Sequence, residues 1–232
     1  MPTFNPDYFS PLAKHNFQKI LPEVFDFTKN ANYLEIGSFQ GASTHFMFNS
    51  LLNGNSKATV IDPFENSKSE AIGNFEIFKN NLGEYLDRID ICKDFSTNVL
   101  KNLEKESYDI AYIDGSHLAD DVYFDMENVM PLMKSGGIII CDDYLWWLLG
   151  GGKKYYKPFE YSQPMKAINK FIKERRDEIE DITKPSLLEF DESDCDISFT
   201  EDEVKSLLYD NLDKLTKNGV NEYNYQYIFR KK

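Results

Sequence analysis

Five short apolar runs, bounded by turn-forming residues, set the narrowest limits on how this chain can fold. They are Asn32–Ile36, Ala58–Ile61, Ile89–Cys92, Asp109–Ile113 and Ile138–Cys141. Each is rich in Ile, Val, Leu or Tyr, the composition of a strand buried on both faces. Helical signals lie between them. Ser10-Pro11 puts proline at a first helical position, and Pro22 restarts that helix. Ser67 and Glu70 have capping-box spacing, with Gly83 as a stop. Val122, Met126, Val129 and Met130 fall near helical spacing within 119–133. Strands alternating with helices predict βαβ units, hence a mainly parallel sheet covered on both faces.

The C-terminal third changes rhythm. Residues 162–176 read as a helix with Pro164 in its first turn, and Ile179–Thr183 as a weak strand. Thr200 and Glu203 form a second capping box ahead of a leucine stripe, while Tyr223–Arg230 alternates aromatic and polar residues as a strand does. The expected fold is a Rossmann-like, doubly wound α/β domain over residues 1–232, with a mostly parallel seven-stranded sheet and an antiparallel last strand. Its parts are an N-terminal helical segment (1–30), a core (31–183) containing a loop at 144–163, a helical insertion (184–221) and the final strand (222–232).

A formal charge of −13 argues against nucleic acid or an anionic membrane as partner, since both require a basic footprint. No apolar run approaches the ~18 residues of a membrane span. MPTFNPDYFSP has no basic stretch followed by an apolar one, so a secretory leader is not expected. Cys92, Cys141 and Cys195 are an odd number, two of them in predicted buried strands, and read as reduced thiols. A cytoplasmic enzyme is the expectation.

The strand ends carry the chemistry. The first runs into YLEIGSFQGAST, where Glu35 closes the strand and Gly37 and Gly41 bracket a loop before a helix. Ligands of open α/β sheets bind at such a place, against glycine backbone and a helix N-terminus. The spacing Glu-x-Gly-x-x-x-Gly differs from the dinucleotide fingerprint, which disfavours a nicotinamide dehydrogenase. Asp62 ends the next strand, where a carboxylate accepts ribose hydroxyls or, alternatively, caps a turn.

Together these segments resemble the first two motifs of class I S-adenosylmethionine-dependent methyltransferases. KDFSTNVL, YDIAYIDGSH and PLMKSGGIIICDDYLW continue the resemblance over roughly residues 30–147, and EYNYQYIFRKK is similar to that family's closing antiparallel strand. The resemblance implies that S-adenosylmethionine is held by Glu35, Gly37, Ser38, Gly41, Ser43, Asp62, Pro63 and Asp114, with Asp94, Phe95 and Ser96 near the adenine.

Asp114 ends the fourth strand, and Asp142 and Asp143 end the fifth. Adjacent strands lie about 4.8 Å apart, so the three carboxylates can converge. Buried together they repel, and a hard divalent cation such as Mg²⁺ relieves that. A turn-capping role is the plain alternative. The arrangement resembles the metal-dependent O-methyltransferases of the catechol and macrolide-sugar (macrocin and mycinamicin) types. The second is the nearer, because Asp-Gly-x-His recurs here as Asp114-Gly115-Ser116-His117. The comparison implies that Asp114, Asp142 and Asp143 hold the metal and that His117 is the base. The acceptor implied is a hydroxyl of a small molecule or sugar. At 232 residues the chain is shorter than the macrolide-sugar enzymes, and their large N-terminal domain is not recognisable in it, so their sugar specificity does not carry over. Trp146, Trp147, Gly150–Gly152, Lys153 and Lys154 follow as an acceptor loop with a glycine hinge, or alternatively as core or dimer contacts, since the family is often oligomeric. A metal-independent methyltransferase and a non-catalytic S-adenosylmethionine-binding protein remain as alternatives.

Overall fold

Successive side chains of a strand point to opposite faces of its sheet, and here both faces are apolar. In β1 (Asn32–Ile36), Tyr33 packs on one side and Leu34 and Ile36 on the other. The same alternation runs through β4 (Tyr108–Ile113) and β5 (Met133–Cys141). The computed structural model describes residues 11–65, 74–144, 164–183 and 226–232, together with Pro2, Phe4 and Phe9. The remaining strands are β2 (Lys57–Ile61), β3 (Ile89–Cys92), β6 (Ile179–Thr183) and β7 (Tyr227–Lys231). They form one seven-stranded sheet in the order β3-β2-β1-β4-β5-β7-β6. The pairings from β3 through β5 are parallel, and β7 is antiparallel to both β5 and β6. The expected fold is therefore present.

One face is covered by α1 (Pro11–Lys19), α2 (Leu21–Val24), α3 (Ala42–Ser50) and α4 (Asn74–Asn81), through Phe17, Leu21, Phe46, Met47 and Phe78. The other is covered by α6 (Ala119–Val129) and α7 (Pro164–Glu174), through Val122, Met126, Val129, Ile168 and Phe171. The short α5 (Ser96–Val99) precedes β4 and packs against α6. Cys92 and Cys141 are free thiols. No helix among the described residues is long and apolar enough to cross a membrane.

Register positions the site. Cys92, Ile61, Ile36, Ile113 and Cys141 form one row of paired residues across five strands. Gly37, Asp62, Asp114 and Asp142 are the next residues in their strands, so they emerge level along one edge of the sheet. The Ser67 capping box and the 184–221 segment, with its second capping box and leucine stripe, lie outside the described residues.

Candidate active site

The loop after β1 is threaded between its neighbours. Gly37 N–H donates to Ile61 O at 2.9 Å, and Asp114 N–H donates to Ile36 O at 2.8 Å. Gly37 has φ +87°, and a Cβ there would stand 2.0 Å from Asp114 O. Gly41 has φ +82°, and its added Cβ would meet Leu82 Cδ2 at 2.4 Å. Both glycines thus admit close approach of the protein's own chain, at Asp114 and at Leu82. Glu35 is fully buried and accepts from Ser43 Oγ at 2.5 Å and Thr44 Oγ1 at 2.8 Å; Thr44 Oγ1 also lies 2.6 Å from Ser38 Oγ. Burial raises the Glu35 carboxyl, and the two hydroxyls partly offset that.

Beside this loop is a cavity of about 360 Å³, within the usual size range of ligand sites. Of the sequence-expected donor residues, Gly37, Asp62, Pro63, Phe95 and Ser96 line it. Glu35, Ser38, Gly41, Ser43, Asp94 and Asp114 are not on its wall. Glu35, Ser38 and Ser43 belong to the buried network beneath it. Asp94 instead accepts from Phe95 N–H at 2.7 Å and Asn98 Nδ2 at 2.8 Å, bonds that hold its carboxyl below the ordinary value and stitch the start of α5. Asp62 accepts from Phe39 N–H at 2.7 Å and Phe64 N–H at 2.6 Å. Those two residues have φ +48° and +50°, so this carboxylate secures two left-handed turns at the cavity rim. Burial raises the Asp62 carboxyl against those amide bonds.

Sequence reasoning missed the wall supplied by α6, which brings Asp121, Phe124 and Asp125. A signal was present. Asp125 sits on the buried stripe with Val122, Met126 and Val129, where an acid is out of place. Burial pushes its carboxyl from 3.8 up to about 7, opposed by a hydrogen bond with Ser96. Such a group stays protonated in the folded chain between roughly pH 4 and 7 while the unfolded chain has ionised, so stability falls as pH rises through that window. At about 1.36 kcal/mol per pH unit, the loss approaches about 4 kcal/mol by pH 8. Asp125→Asn is therefore expected to raise Tm at pH 8 but not at pH 4, as read by thermal melting at both pH values.

At the ends of β4 and β5, Asp114, His117 and Asp143 each offer one ligand atom, all within 4.8 Å of one another. His117 Nε2 contacts Asp143 Oδ2. Asp143 is left-handed, with φ +57°, which turns it differently from Asp142. Asp142, expected beside these ligands, is engaged elsewhere. Its Oδ1 accepts Asp143 N–H at 2.7 Å, and its Oδ2 accepts the Tyr112 hydroxyl and Gln226 Nε2, the latter at 3.2 Å. Tyr112 also reaches Asp114 Oδ2, at 3.0 Å. One hydroxyl proton cannot serve both carboxylates at once. Burial, then the charge of Asp142, drives the Asp114 carboxyl well up; burial, then the charge of Asp143, raises that of Asp142.

Residues 34–144 match the family profile described as a methyltransferase domain. The span runs from inside β1 to just past Asp142 and Asp143, so it holds both the cavity and the acidic group. Solved structures share the fold. A protein of Corynebacterium glutamicum is 16% identical with TM-score 0.54, aligned over 74% of each chain. An O-methyltransferase from Bacillus cereus, solved in complex with S-adenosylhomocysteine, is 19% identical with TM-score 0.52, over 74% of this chain and 73% of that one. A methyltransferase from Podospora anserina, bound to S-adenosylhomocysteine, is 19% identical with TM-score 0.53, over 78% and 76%. No curated protein matches the chain. Of the expected acceptor loop, only Tyr144 is among the described residues. It is buried, and its hydroxyl donates to Asn169 Oδ1 at 2.8 Å. Trp146, Trp147, Gly150–Gly152, Lys153 and Lys154 lie outside them.

Proposed function

We propose that this protein transfers the methyl group of S-adenosylmethionine to a hydroxyl of a small molecule or sugar, assisted by a divalent cation. The observation that carries the proposal is the meeting of Asp114, His117 and Asp143 next to Gly115 and Ser116, which line the cavity. The cavity suits the donor because Asp62 sits at its rim and keeps lone pairs beyond the two its amides take. The cation fits by donor chemistry, since the carboxylates of Asp114 and Asp143 are the hard oxygen donors that suit Mg²⁺, Mn²⁺ or a similar ion. Asp114 and Asp143 would hold it, with Asp142 fixed behind them by Tyr112 and Gln226. When bound, its charge lowers the pKa of a nearby hydroxyl. His117, oriented by Asp143, takes the hydroxyl proton as the acceptor oxygen bonds to the methyl carbon and the carbon–sulfur bond breaks. Holding the reactants in line is worth about 7–11 kcal/mol in favourable cases.

A screen of hydroxyl compounds with labelled methyl donor identifies the acceptor. Turnover is then measured with excess chelator and after adding back Mg²⁺ or Mn²⁺. The expected result is loss and recovery of activity; unchanged turnover in chelator points to a metal-independent methyltransferase. Asp143→Ala is expected to weaken cation affinity, and added cation should partly restore its rate.

A further inference from the structure

The cavity contains a polar demand that the protein does not meet from within itself. Asp125 reaches it from α6 and is 2% exposed. Ser96, on the adjoining α5, bonds to the carboxyl group, but Oδ1 has no hydrogen-bond partner. The other acids at the wall differ. Asp62 is committed to two backbone amides, Asp121 takes the Ser116 hydroxyl at 2.7 Å, and Glu65 is exposed. A buried carboxyl oxygen left without a donor is costly, and few such groups persist without a role.

The surroundings define what could supply the donor. Phe95 and Phe124 give the wall around Asp125 and Ser96 two aromatic rings, suited to a flat heterocycle. Gly115 and Ser116 complete the wall beside Asp125. The group required is therefore flat and aromatic, with an N–H donor on its edge. The exocyclic amino group of adenine has that form; the 6-oxo group of hypoxanthine presents an acceptor at the same place and would face the carboxyl oxygen.

We infer that Asp125 selects the adenine base of the methyl donor, accepting a hydrogen bond from its exocyclic amino group. The inference rests on the donor reading above and moves base recognition from the loop after β3, where Asp94 is turned outward, to helix α6. Asp125 is then a binding residue, and its effect is on affinity and base preference.

Calorimetry with two nucleosides tests this on the full chain: S-adenosylhomocysteine, and S-inosylhomocysteine, which has a carbonyl in place of the amino group. The protein is expected to bind the adenine compound at least about tenfold more tightly, the scale of one hydrogen bond to a charged or strongly polar group. Asp125→Ala is expected to bring the two affinities within about twofold, mainly by weakening the adenine compound. Should that variant fail to fold, Asp125→Leu, close in shape and without the buried charge, carries the same comparison. Equal affinities in the unmodified protein overturn the inference, as does a full adenine preference in a folded Asp125 variant; in either case a water or a protein group satisfies Oδ1. If neither nucleoside binds the unmodified protein, the donor reading itself fails, which is a separate result.

Discussion

Replacing His117 with alanine is expected to lower turnover by about 10²–10⁴-fold, the usual contribution of a general base, and to leave S-adenosylhomocysteine affinity within about twofold. The split follows from position. His117 lies in the acidic group with Asp114 and Asp143 and is not on the wall of the donor cavity. Its ring contacts Asp143, so base and orienter form a unit of the kind that aligns an imidazole for proton transfer. Cation affinity, measured in parallel, separates two roles for the ring. A base leaves that affinity nearly intact, whereas a ligand weakens it as much as Asp143→Ala does. Wild-type turnover in His117→Ala would make the histidine a bystander.

Gly37→Ala is expected to cost at least about 3 kcal/mol of stability and to abolish donor binding. Two effects combine. An L side chain at φ +87° is strained by about 1–2 kcal/mol. The added Cβ also falls 2.0 Å from Asp114 O and 2.6 Å from Gly115 Cα, both backbone atoms that cannot swing aside. The β4 end must move, and with it Asp114 and the cavity wall at Gly115. Two other glycines calibrate the result. Gly136 has φ +82° with nothing within 4 Å of an added Cβ, so alanine there should cost only the conformational strain. Gly54 has neither constraint, and alanine there should be close to neutral. Denaturant melts of the three variants give the ladder; a Gly37→Ala protein as stable as Gly54→Ala would show that the loop relaxes freely.

Much of the architecture was legible because its signals are local. β1, β2, β4 and β5 are short apolar runs closed by Gly37, Asp62, Asp114 and Asp142, and each such run specifies a buried strand whatever its neighbours do. Residues 179–183, a weak strand by pattern, form β6 because β7 supplies a partner, and pairing of that kind is not a property of the segment alone. The start of β5 at Met133, ahead of the Ile138 expected for it, reflects register irregularity beside Tyr108 and the left-handed Gly136.

By itself the sequence determined that a mainly parallel α/β sheet would bring Gly37, Asp62 and Asp114 to one edge, since periodicity and turn residues place strand ends without reference to the rest of the chain. Only the tertiary structure decided what each acid does there. Asp142 and Asp143 are chemically identical neighbours, yet one is held by Tyr112 and Gln226 while the other, in a left-handed turn, meets His117. Asp94 and Asp125 divide in the same way, one bonded outward to the start of α5 and the other buried at the cavity with an oxygen unpaired. Residue type fixes a carboxylate's charge and lone pairs. The direction in which it points depends on the local φ and ψ and on which strand or helix packs opposite, and those are set by contacts between residues far apart in the chain.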